Sequence, residues 1–240
     1  MIRFKAVRKT FGAKQVLDGF TLDIPDGQTT VLLGYSGTGK SVALKHIVGL
    51  LEPDDGSVEV DGRIVHEMSR AELMAIRASI GYVFQFSALF DSLSVVDNIS
   101  LGLREQRLPE DEIARRVAAS LERVGLSDQG ARFPAELSGG MRKRVGIARA
   151  IALEPRYILY DEPTTGLDPV TSAVIDELMV RNKRELGVTG VVVTHDMRSA
   201  FAVADRIAML YQGRVHLVGT VDEIRRTEDP LVRQFTEGRP

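Results

Sequence analysis

The chain has 240 residues, of which 44% are hydrophobic and 27% are charged, an ordinary globular composition that can form a hydrophobic core. Its 31 Lys and Arg against 33 Asp and Glu give a net charge of -2, which argues against general nucleic-acid binding because that needs a basic surface. The absence of cysteine excludes disulfides, thiolate metal sites and cysteine nucleophiles. No apolar run reaches the roughly 18 residues of a membrane span, and the first residues do not resemble a signal peptide. We therefore expect a soluble, cytoplasmic chain that reaches a membrane only through a partner.

The first third of the chain predicts strands around one helix. Alternating apolar residues at 2–6 and 20–24 predict antiparallel strands, and the apolar run 29–33 predicts a buried strand. A helix follows Gly34, because Leu44, Ile47, Val48 and Leu51 share one face. The next predicted features are a turn at 53–56, a short helix opened by a capping box at 69–72, and a strand at 80–84.

The rest of the chain predicts helices first and then strands alternating with helices. The predicted helices are at 94–105, 110–124, 139–153, 169–186 and 197–205, and the predicted strands are at 157–160, 191–194 and 207–211. Apolar strands that alternate with helices indicate a parallel sheet covered on both faces. The sequence thus predicts an α/β core interrupted by a helical insertion of about sixty residues.

Residues 34–41 match the phosphate-binding pattern G-x-x-x-x-G-K-[ST] between an apolar strand and a helix. Glycines let the backbone turn its N–H groups towards a phosphate, and the helix N-terminus adds partial positive charge. We expect Lys40 to contact the outer phosphates and Ser41 to contact Mg²⁺. A plain glycine-rich turn is disfavoured, because four fixed positions match. The candidate nucleotide-binding residues are Gly34, Tyr35, Ser36, Gly37, Thr38, Gly39, Lys40, Ser41 and Val42.

A second candidate site follows the strand 157–160, where Asp161 and Glu162 stand together. Carboxylates beyond the carboxyl end of a parallel strand face the ligand crevice of such folds. Asp161 suits Mg²⁺ coordination, and Glu162 suits a general base that polarises water. Taken without the phosphate loop, Asp161 and Glu162 are equally consistent with an ordinary strand that leads into a polar surface loop.

A third candidate is the segment 137–141, Leu-Ser-Gly-Gly-Met, at the start of a predicted helix. A hydroxyl and bare N–H groups at a helix N-terminus suit an anion, although Ser138 is equally a simple N-cap. The segment lies about a hundred residues beyond the phosphate loop, in the helical insertion. Two anion sites in different parts of the chain suggest one nucleotide held from two sides, by two subunits.

Two further patterns have structural alternatives. Arg142, Lys143, Arg144 and Arg149 are expected to form a solvated helix face rather than a nucleic-acid site. Large apolar residues after Gln85 either close the core or form a groove for a partner helix, because loops are normally polar. These residues are Phe86, Leu89, Phe90 and Leu93.

Together the motifs resemble the ATPase subunits of ATP-binding cassette (ABC) transporters in order and spacing, over nearly the whole chain. The resemblance implies a P-loop NTPase (RecA-like) α/β core at about 1–85 and 155–240, with an antiparallel β subdomain and an inserted α-helical subdomain at 86–154. It identifies 34–41 as the Walker A loop, 158–162 as the Walker B strand with catalytic Glu162, and Ser138, Gly139, Gly140 and Met141 as the signature. Further matches are Gln85 in the Q-loop, which joins Ser41 and Asp161 as a Mg²⁺ ligand, Asp168 in the D-loop, the switch histidine His195 and the adenine-stacking Phe11.

Two of these residues have ordinary structural readings when taken alone. Phe11 is then more typical of a core residue at a strand end. His195 is equally consistent with a capping residue before Asp196.

The resemblance also implies a mechanism. Two copies pair head to tail around two ATP molecules, and each ATP contacts 37–41 of one copy and the signature of the other. Glu162 activates water, His195 contacts the γ-phosphate, and the cycle drives a membrane permease. The subunit is then peripheral, on the cytoplasmic side of the inner membrane.

Two departures from the wider family narrow the resemblance. Met141 stands where glutamine is usual, and Phe11 stands where tyrosine is commoner. Met141, the segment 84–95 and the tail 229–235 resemble the phospholipid-transport branch of Mla-type and Mce-associated ATPases, which implies a lipid-binding MCE-type protein in the complex. A polar amino-acid importer shares every nucleotide motif and remains an alternative. A DNA-repair or chromosome ATPase needs coiled-coil arms, and the 96 residues between Ser41 and Ser138 contain no sustained heptads.

Overall fold

The computed structural model describes residues 1–237, which form two compact units. The first unit combines Met1–Ile76 with the chain from Thr189 onward, and the second unit is Arg77–Val188. Within the described residues, no helix combines the length and apolarity that a membrane span requires.

The elements are numbered along the chain. The strands are β1 (Ile2–Phe11), β2 (Lys14–Ile24), β3 (Thr29–Leu33), β4 (Asp55–Val60), β5 (Arg63–Ile64), β6 (Ile80–Val83), β7 (Tyr157–Asp161), β8 (Thr189–Thr194), β9 (Arg206–Tyr211) and β10 (Arg214–Thr220). The α-helices are α1 (Lys40–Ile47), α2 (Arg70–Ala78), α3 (Val95–Glu105), α4 (Glu110–Arg123), α5 (Gly139–Ala152), α6 (Pro169–Leu186), α7 (Met197–Val203), α8 (Val221–Arg226) and α9 (Pro230–Glu237).

An antiparallel sheet in the first unit has the strand order β2-β1-β4-β5. Phe4 of β1 lies opposite Leu22 of β2 and opposite Val58 of β4, and all three are buried. The rings of Phe4 and Phe20 meet edge to face with centroids 4.9 Å apart, a favourable aromatic arrangement. The predicted antiparallel strands are thus confirmed, with β4 and β5 added to them.

The first unit also contains the parallel strands that carry the phosphate loop. β3 pairs in parallel with both β8 and β9, and β10 pairs antiparallel with β9. All five residues of β3 are buried, including the two threonines, which confirms the predicted buried strand. Leu33 lies opposite Thr194, so the chain leaves β3 and β8 at the same sheet edge.

The second unit combines a parallel strand pair with a helical group. β6 and β7 pair in parallel, with Val83 opposite Tyr160. α5 packs against both α3 and α4 through buried apolar residues such as Ile99, Leu121 and Ile147. The predicted α/β fold with an antiparallel sheet and a helical insertion is therefore confirmed.

The structure differs from the sequence predictions at several element ends. The strand predicted at 80–84 ends at Val83, and the turn predicted at 53–56 already enters β4 at Asp55. β10, α8 and α9 were not predicted. The capping box at 69–72 is confirmed, because the Ser69 amide donates to Glu72 Oε2 at 2.8 Å.

Candidate functional site

The phosphate loop in the first unit joins β3 to α1. A Cβ at Gly34 would lie 2.5 Å from the carbonyl oxygen of Leu210, so only glycine fits where the chain leaves the sheet. Gly39 precedes α1 with a φ of 102°, in the left-handed region that favours glycine, and no side chain caps the helix. Gly39 thus gives α1 no side-chain N-cap, which suits an anion-binding helix N-terminus.

Lys40 lies inside this loop. Its side chain is 5% exposed, and its Nζ donates to the carbonyl oxygens of Gly34 at 2.8 Å and Tyr35 at 3.0 Å. The Thr38 hydroxyl also donates to the Tyr35 carbonyl, at 2.8 Å. The loop is thus held compactly around the ammonium group by its own main chain. Ser41 and Val42 follow in the first turn of α1 and are half-buried.

Two other predicted residues belong to the first unit. His195 directly follows β8, as Gly34 directly follows β3. Because the last residues of these parallel strands, Leu33 and Thr194, are paired, His195 and Gly34 lie at the same sheet edge. His195 is exposed, and the cap of α7 is Asp196, whose Oδ1 accepts from the Arg198 amide at 2.8 Å. The capping alternative for His195 is therefore wrong.

Phe11 ends β1, and its ring is 46% exposed. Lys9 Nζ lies 5.8 Å from the ring centroid, at the outer limit of a cation–π contact. The interpretation of Phe11 as a core residue is therefore wrong. An exposed phenyl ring at a strand end is free of core packing and suits a planar ligand.

The second unit places Gln85, Asp161 and Glu162 at one sheet edge, because Val83 and Tyr160 are paired in parallel. Asp161 and Glu162 are each only 8% exposed. The Tyr82 hydroxyl donates to Asp161 Oδ2 at 3.2 Å, and burial together with the Asp161 carboxylate raises the pKa of Tyr82 above its usual range. Tyr82 therefore stays a neutral donor that orients Asp161.

Glu162 has an unusual backbone conformation. Its φ is 48°, in the left-handed region that residues other than glycine rarely adopt. Thr165 Oγ1 donates to Glu162 Oε2 at 3.1 Å, and the Thr165 amide donates to the Glu162 carbonyl at 3.3 Å. These contacts fix the direction of the carboxylate, as a general base requires.

The signature segment begins α5 in the second unit. Ser138 is the N-cap, and its Oγ accepts from the Met141 amide at 3.2 Å. Ser138 and Gly139 are exposed, Met141 is half-buried, and Gly140 is buried. A Cβ at Gly140 would lie 2.5 Å from Thr171 Cγ2, so this glycine is required by packing within its own chain. The N-cap role is thus present, and the exposed pair Ser138 and Gly139 still faces outward.

Asp168 is exposed and caps α6. Its Oδ1 accepts from the amides of Val170 and Thr171, each at 3.0 Å. The hydrogen bonds of Thr171 hold the pKa of Asp168 below its usual range. Asp168, the last residue of the predicted D-loop, therefore remains a charged cap.

The prediction that the basic residues of α5 form a solvated face is wrong for Lys143 and Arg149. Lys143 is 6% exposed, and its Nζ donates to the carbonyl oxygen of Gln85 and, at 3.2 Å, to that of Glu162. Arg149 donates to the carbonyls of Ser87 and Ala88, each at 2.7 Å. Burial lowers the pKa of Lys143, while the Glu162 and Asp161 carboxylates oppose that shift. The signal in the sequence was the spacing of Lys143, four residues before buried Ile147.

The segment after Gln85 presents apolar rings on the surface. Phe86 is 85% exposed and Phe90 is 56% exposed, while Leu89 and Leu93 are half-buried. The alternative that Phe86 and Phe90 close the core is therefore wrong.

Sequence reasoning missed the residue that shapes this segment. Asn98 on α3 is fully buried, and its Nδ2 donates to the carbonyls of Phe90 at 3.1 Å and Leu93 at 3.0 Å. Its Oδ1 accepts from the Phe90 amide at 2.8 Å. Asn98 lies three residues after buried Val95, so its polar side chain at a core-facing position was a readable signal.

A ring contact also joins the tail to the phosphate loop within the first unit. Tyr35 and Phe235 of α9 meet edge to face with centroids 4.8 Å apart. The Tyr35 ring is still 40% exposed. No local pattern in the sequence pairs these two positions.

Comparison with known proteins identifies the family. The family model described as ABC transporter matches residues 17–165. The chain is 43% identical over 239 residues to the probable ribonucleotide transport ATP-binding protein mkl of Mycobacterium leprae (strain TN), across 99% of this chain and 69% of that protein. It is 44% identical over 226 residues to the methionine import ATP-binding protein MetN of Leifsonia xyli subsp. xyli (strain CTCB07), across 93% and 66%. It is 38% identical over 239 residues to the intermembrane phospholipid transport system ATP-binding protein MlaF of Escherichia coli (strain K12), across 99% and 89%.

A solved structure gives the same result for the fold. The dimeric, post-hydrolysis state of the ATP-binding cassette MJ0796 bound to ADP and Pi superposes with a TM-score of 0.84 at 34% identity, across 92% of this chain and 99% of that one. The phosphate loop, the paired carboxylates and the exposed signature turn described above lie on this shared fold. The chain therefore belongs to the ABC transporter family and is an ATP-binding, ATP-hydrolysing subunit of that family.

Proposed function

We propose that this ATPase powers phospholipid transport between membranes of the cell envelope, bound through a permease to the cytoplasmic side of the inner membrane. The observation that carries the proposal is the match to MlaF, which extends over 99% of this chain and 89% of MlaF. Met141 in the signature supports the same branch, since it departs from the glutamine of the wider family.

The first unit supplies the nucleotide contacts. Phe11 stacks on the adenine, because its ring is exposed at the end of β1. The amides of 34–42 bind the phosphates, and Lys40 binds the outer phosphate oxygens. His195 contacts the γ-phosphate from the adjacent strand β8. The aromatic contact between Tyr35 and Phe235 supports the outer side of the loop.

The predicted Mg²⁺ ligands have suitable donor chemistry in each unit. Ser41 in the first unit offers a hydroxyl oxygen, and Gln85 and Asp161 in the second unit offer amide and carboxylate oxygens. Mg²⁺ at phosphate sites takes few protein ligands because it keeps waters and phosphate oxygens. Across residues 1–237 no group of three or more His, Cys, Asp or Glu side chains is arranged to hold a metal. When bound, the ion neutralises developing phosphate charge. Tyr82 holds the Asp161 carboxylate in one orientation for this role.

Glu162 acts as the general base for hydrolysis. Its carboxylate is buried and is oriented by the Thr165 hydroxyl, so it can polarise an attacking water in a fixed direction. The left-handed backbone at Glu162 supports a functional constraint, because such strain persists only where surrounding contacts enforce it.

Two copies form the working unit, head to tail. Ser138 and Gly139 are exposed at the N-terminus of α5, whose first turn carries no acidic residue. That end suits the phosphates bound to a second copy. Asp168 lies at the predicted D-loop and faces the same partner.

The membrane partner binds the helical subdomain at 86–154. The exposed rings of Phe86 and Phe90 suit an amphipathic helix of the permease, because large exposed apolar side chains mark interaction sites. An MCE-type lipid-binding protein completes the complex, and nucleic acid is not a partner.

The direct test is purification of the native complex from membranes, followed by identification of its subunits and lipids. We expect a permease, an MCE-type protein and phospholipids. The reconstituted complex should hydrolyse ATP faster when the lipid-binding protein carries phospholipid. A complex that contains an amino-acid-binding protein and responds to a polar amino acid would establish the importer alternative. A response to methionine would establish a methionine importer instead, which the 44% identity to MetN favours.

Pairing in trans has its own test. Lys40→Ala and Ser138→Arg subunits should each be inactive alone, and a mixture should regain activity. In a mixed dimer both lesions fall on one composite site and the other site stays intact. Hydrolysis at full rate by an isolated monomer, independent of concentration, contradicts the head-to-tail pair.

A further inference from the structure

One face of α5 holds the main chain of the segment 85–88. Lys143 and Arg149 lie six residues apart on this helix, and Gly146 lies between them. Lys143 Nζ donates to the Gln85 carbonyl, and the Arg149 guanidinium donates to the carbonyls of Ser87 and Ala88. A Cβ at Gly146 would lie 3.6 Å from Ser87 Cβ, so the helix backbone itself packs against this segment.

The same lysine also reaches the other strand end. Lys143 Nζ lies 3.2 Å from the carbonyl oxygen of Glu162, which directly follows β7. One ammonium group therefore joins the main chain of Gln85 to the main chain of Glu162. Both residues belong to the second unit, so the link lies within one compact body.

The hydrogen bonds of Lys143 resist displacement of the Gln85 and Glu162 carbonyls. A buried ammonium group is stable only when it is well hydrogen-bonded, and bonds from a charged donor are stronger than neutral ones. Neither carbonyl can move away without leaving Lys143 under-satisfied.

The backbone around the link is already constrained. Glu162, Ser87 and Ala88 all have positive φ values, of 48°, 60° and 45°. Residues in sparsely populated conformations persist where the surroundings over-determine them. Lys143 and Arg149 contribute to that constraint, because they donate to the carbonyls of these three residues.

We propose that Lys143 is a positioning residue for ATP hydrolysis, which couples the segment after Gln85 to the backbone of Glu162. The inference rests on the proposed roles of Glu162 as base and of the segment 86–93 as the permease contact. A partner that displaces the Gln85 carbonyl changes the hydrogen bonds of Lys143, and the Glu162 carbonyl responds. Lys143 thereby makes the direction of the Glu162 carboxylate depend on the docked state.

The test uses the full chain with Lys143→Met, which keeps the length of the side chain and removes its donors and charge. Arg144→Met is the matched control. Arg144 lies on the same helix and also donates to main-chain carbonyls, those of Val124 at 3.2 Å and Gly125 at 3.4 Å, but not to those of Gln85 or Glu162. The measurements are kcat and KM for ATP together with the melting temperature of each variant.

We expect Lys143→Met to lower kcat by about 100-fold, the typical effect of misplacing a catalytic group by about 1 Å. KM for ATP should stay unchanged, because the phosphate loop is intact. Lys143→Arg should recover part of kcat, since it restores a charged donor, and Arg144→Met should leave kcat at the wild-type value. A folded Lys143→Met variant with wild-type kcat overturns the inference, as does an equal loss of kcat in Arg144→Met.

A second measurement needs no substitution. Amide hydrogen exchange of the wild-type chain is compared with exchange of the chain in its permease complex. Protection of the peptides covering 84–90 and 160–167 should change together. A change confined to 84–90 overturns the coupling, even if Lys143→Met proves unable to fold.

The role of Glu162 as base and the positioning role of Lys143 are tested by different variants. If Glu162→Gln hydrolyses ATP at the full rate, the proposed base is wrong, whatever Lys143 does. If Glu162→Gln is inactive and Lys143→Met is fully active, the proposed base stands and only the positioning role is wrong.

Discussion

Gly140→Ala tests whether the second glycine of the signature is required by packing inside this chain. The added Cβ would lie 2.5 Å from Thr171 Cγ2, closer than real Cβ atoms come to a neighbour. Rotation of the Thr171 side chain away from it would break the bond from Thr171 Oγ1 to Asp168 Oδ2. We therefore expect Gly140→Ala to lower the free energy of unfolding, because the added Cβ either clashes with Thr171 or breaks its hydrogen bond.

Gly139→Ala is the matched control, because its Cβ would lie 3.7 Å from Leu167 Cδ2, an ordinary contact. Both glycines lie in the first turn of α5, so the helix-propensity gain of alanine, about 1 kcal/mol at most, applies to both. This gain cancels in the difference between the unfolding free energies of the two variants. Overpacking costs about 1–3 kcal/mol, which is the expected difference between their free energies of unfolding.

The assay is urea and thermal unfolding of the purified chain. A difference of 1 kcal/mol moves the melting temperature of a chain of this size by about 2–4 °C. Gly140→Ala should melt below Gly139→Ala by that amount or more. Thr171→Ser in the Gly140→Ala background removes Cγ2, keeps the hydroxyl and should restore most of the loss. Equal unfolding free energies of the two alanine variants would refute the packing argument.

Three further predictions follow from the site and its surroundings. Glu162→Gln should lower kcat by about 10²–10⁴-fold while equilibrium dialysis still detects ATP binding, and full turnover excludes Glu162 as the base. Phe90→Glu should fold normally but lose the co-purifying permease, whereas Val180→Glu, an exposed apolar residue of α6, should keep it. Burial lowers the pKa of His46 below its usual 6.5, so the unfolded chain binds more protons in acid and the free energy of unfolding falls as the pH drops below about 6.5. Urea unfolding of His46→Gln should show a smaller fall, and an identical pH profile contradicts the assignment.

Helices with local start signals were predictable from the sequence. Ser94 accepts from the Asp97 amide, and α3 begins one residue later, within one residue of the start of the predicted helix 94–105. Asp168 caps α6, whose predicted bounds agree with those observed. The helix α8 also has a readable capping box, in which Thr220 and Glu223 exchange hydrogen bonds, and this signal was overlooked.

Elements that depend on distant partners were not predictable in the same way. β10 alternates exposed and half-buried residues only over 214–217, and the alternation then stops, so the pattern is too short to predict a strand by itself. It is a strand because it pairs with β9. The contact of Tyr35 with Phe235 joins positions two hundred residues apart, which no local pattern encodes.

Buried Lys143 and half-buried Arg149 on α5 show that charge alone does not predict a solvated helix face. A run of Arg and Lys on a helix is usually solvated, since burying a cation is costly. The cost is offset here because main-chain carbonyls of Gln85, Ser87, Ala88 and Glu162 accept from the two cations. Ser87, Ala88 and Glu162 have a left-handed backbone at this place. The left-handed residues and the cations that bind their carbonyls therefore stabilise each other, and only the helical position of Lys143 is readable from the local sequence. A site of this kind is found by asking where each buried donor and acceptor is satisfied, because that accounting leads from Lys143 to both strand ends of the second unit.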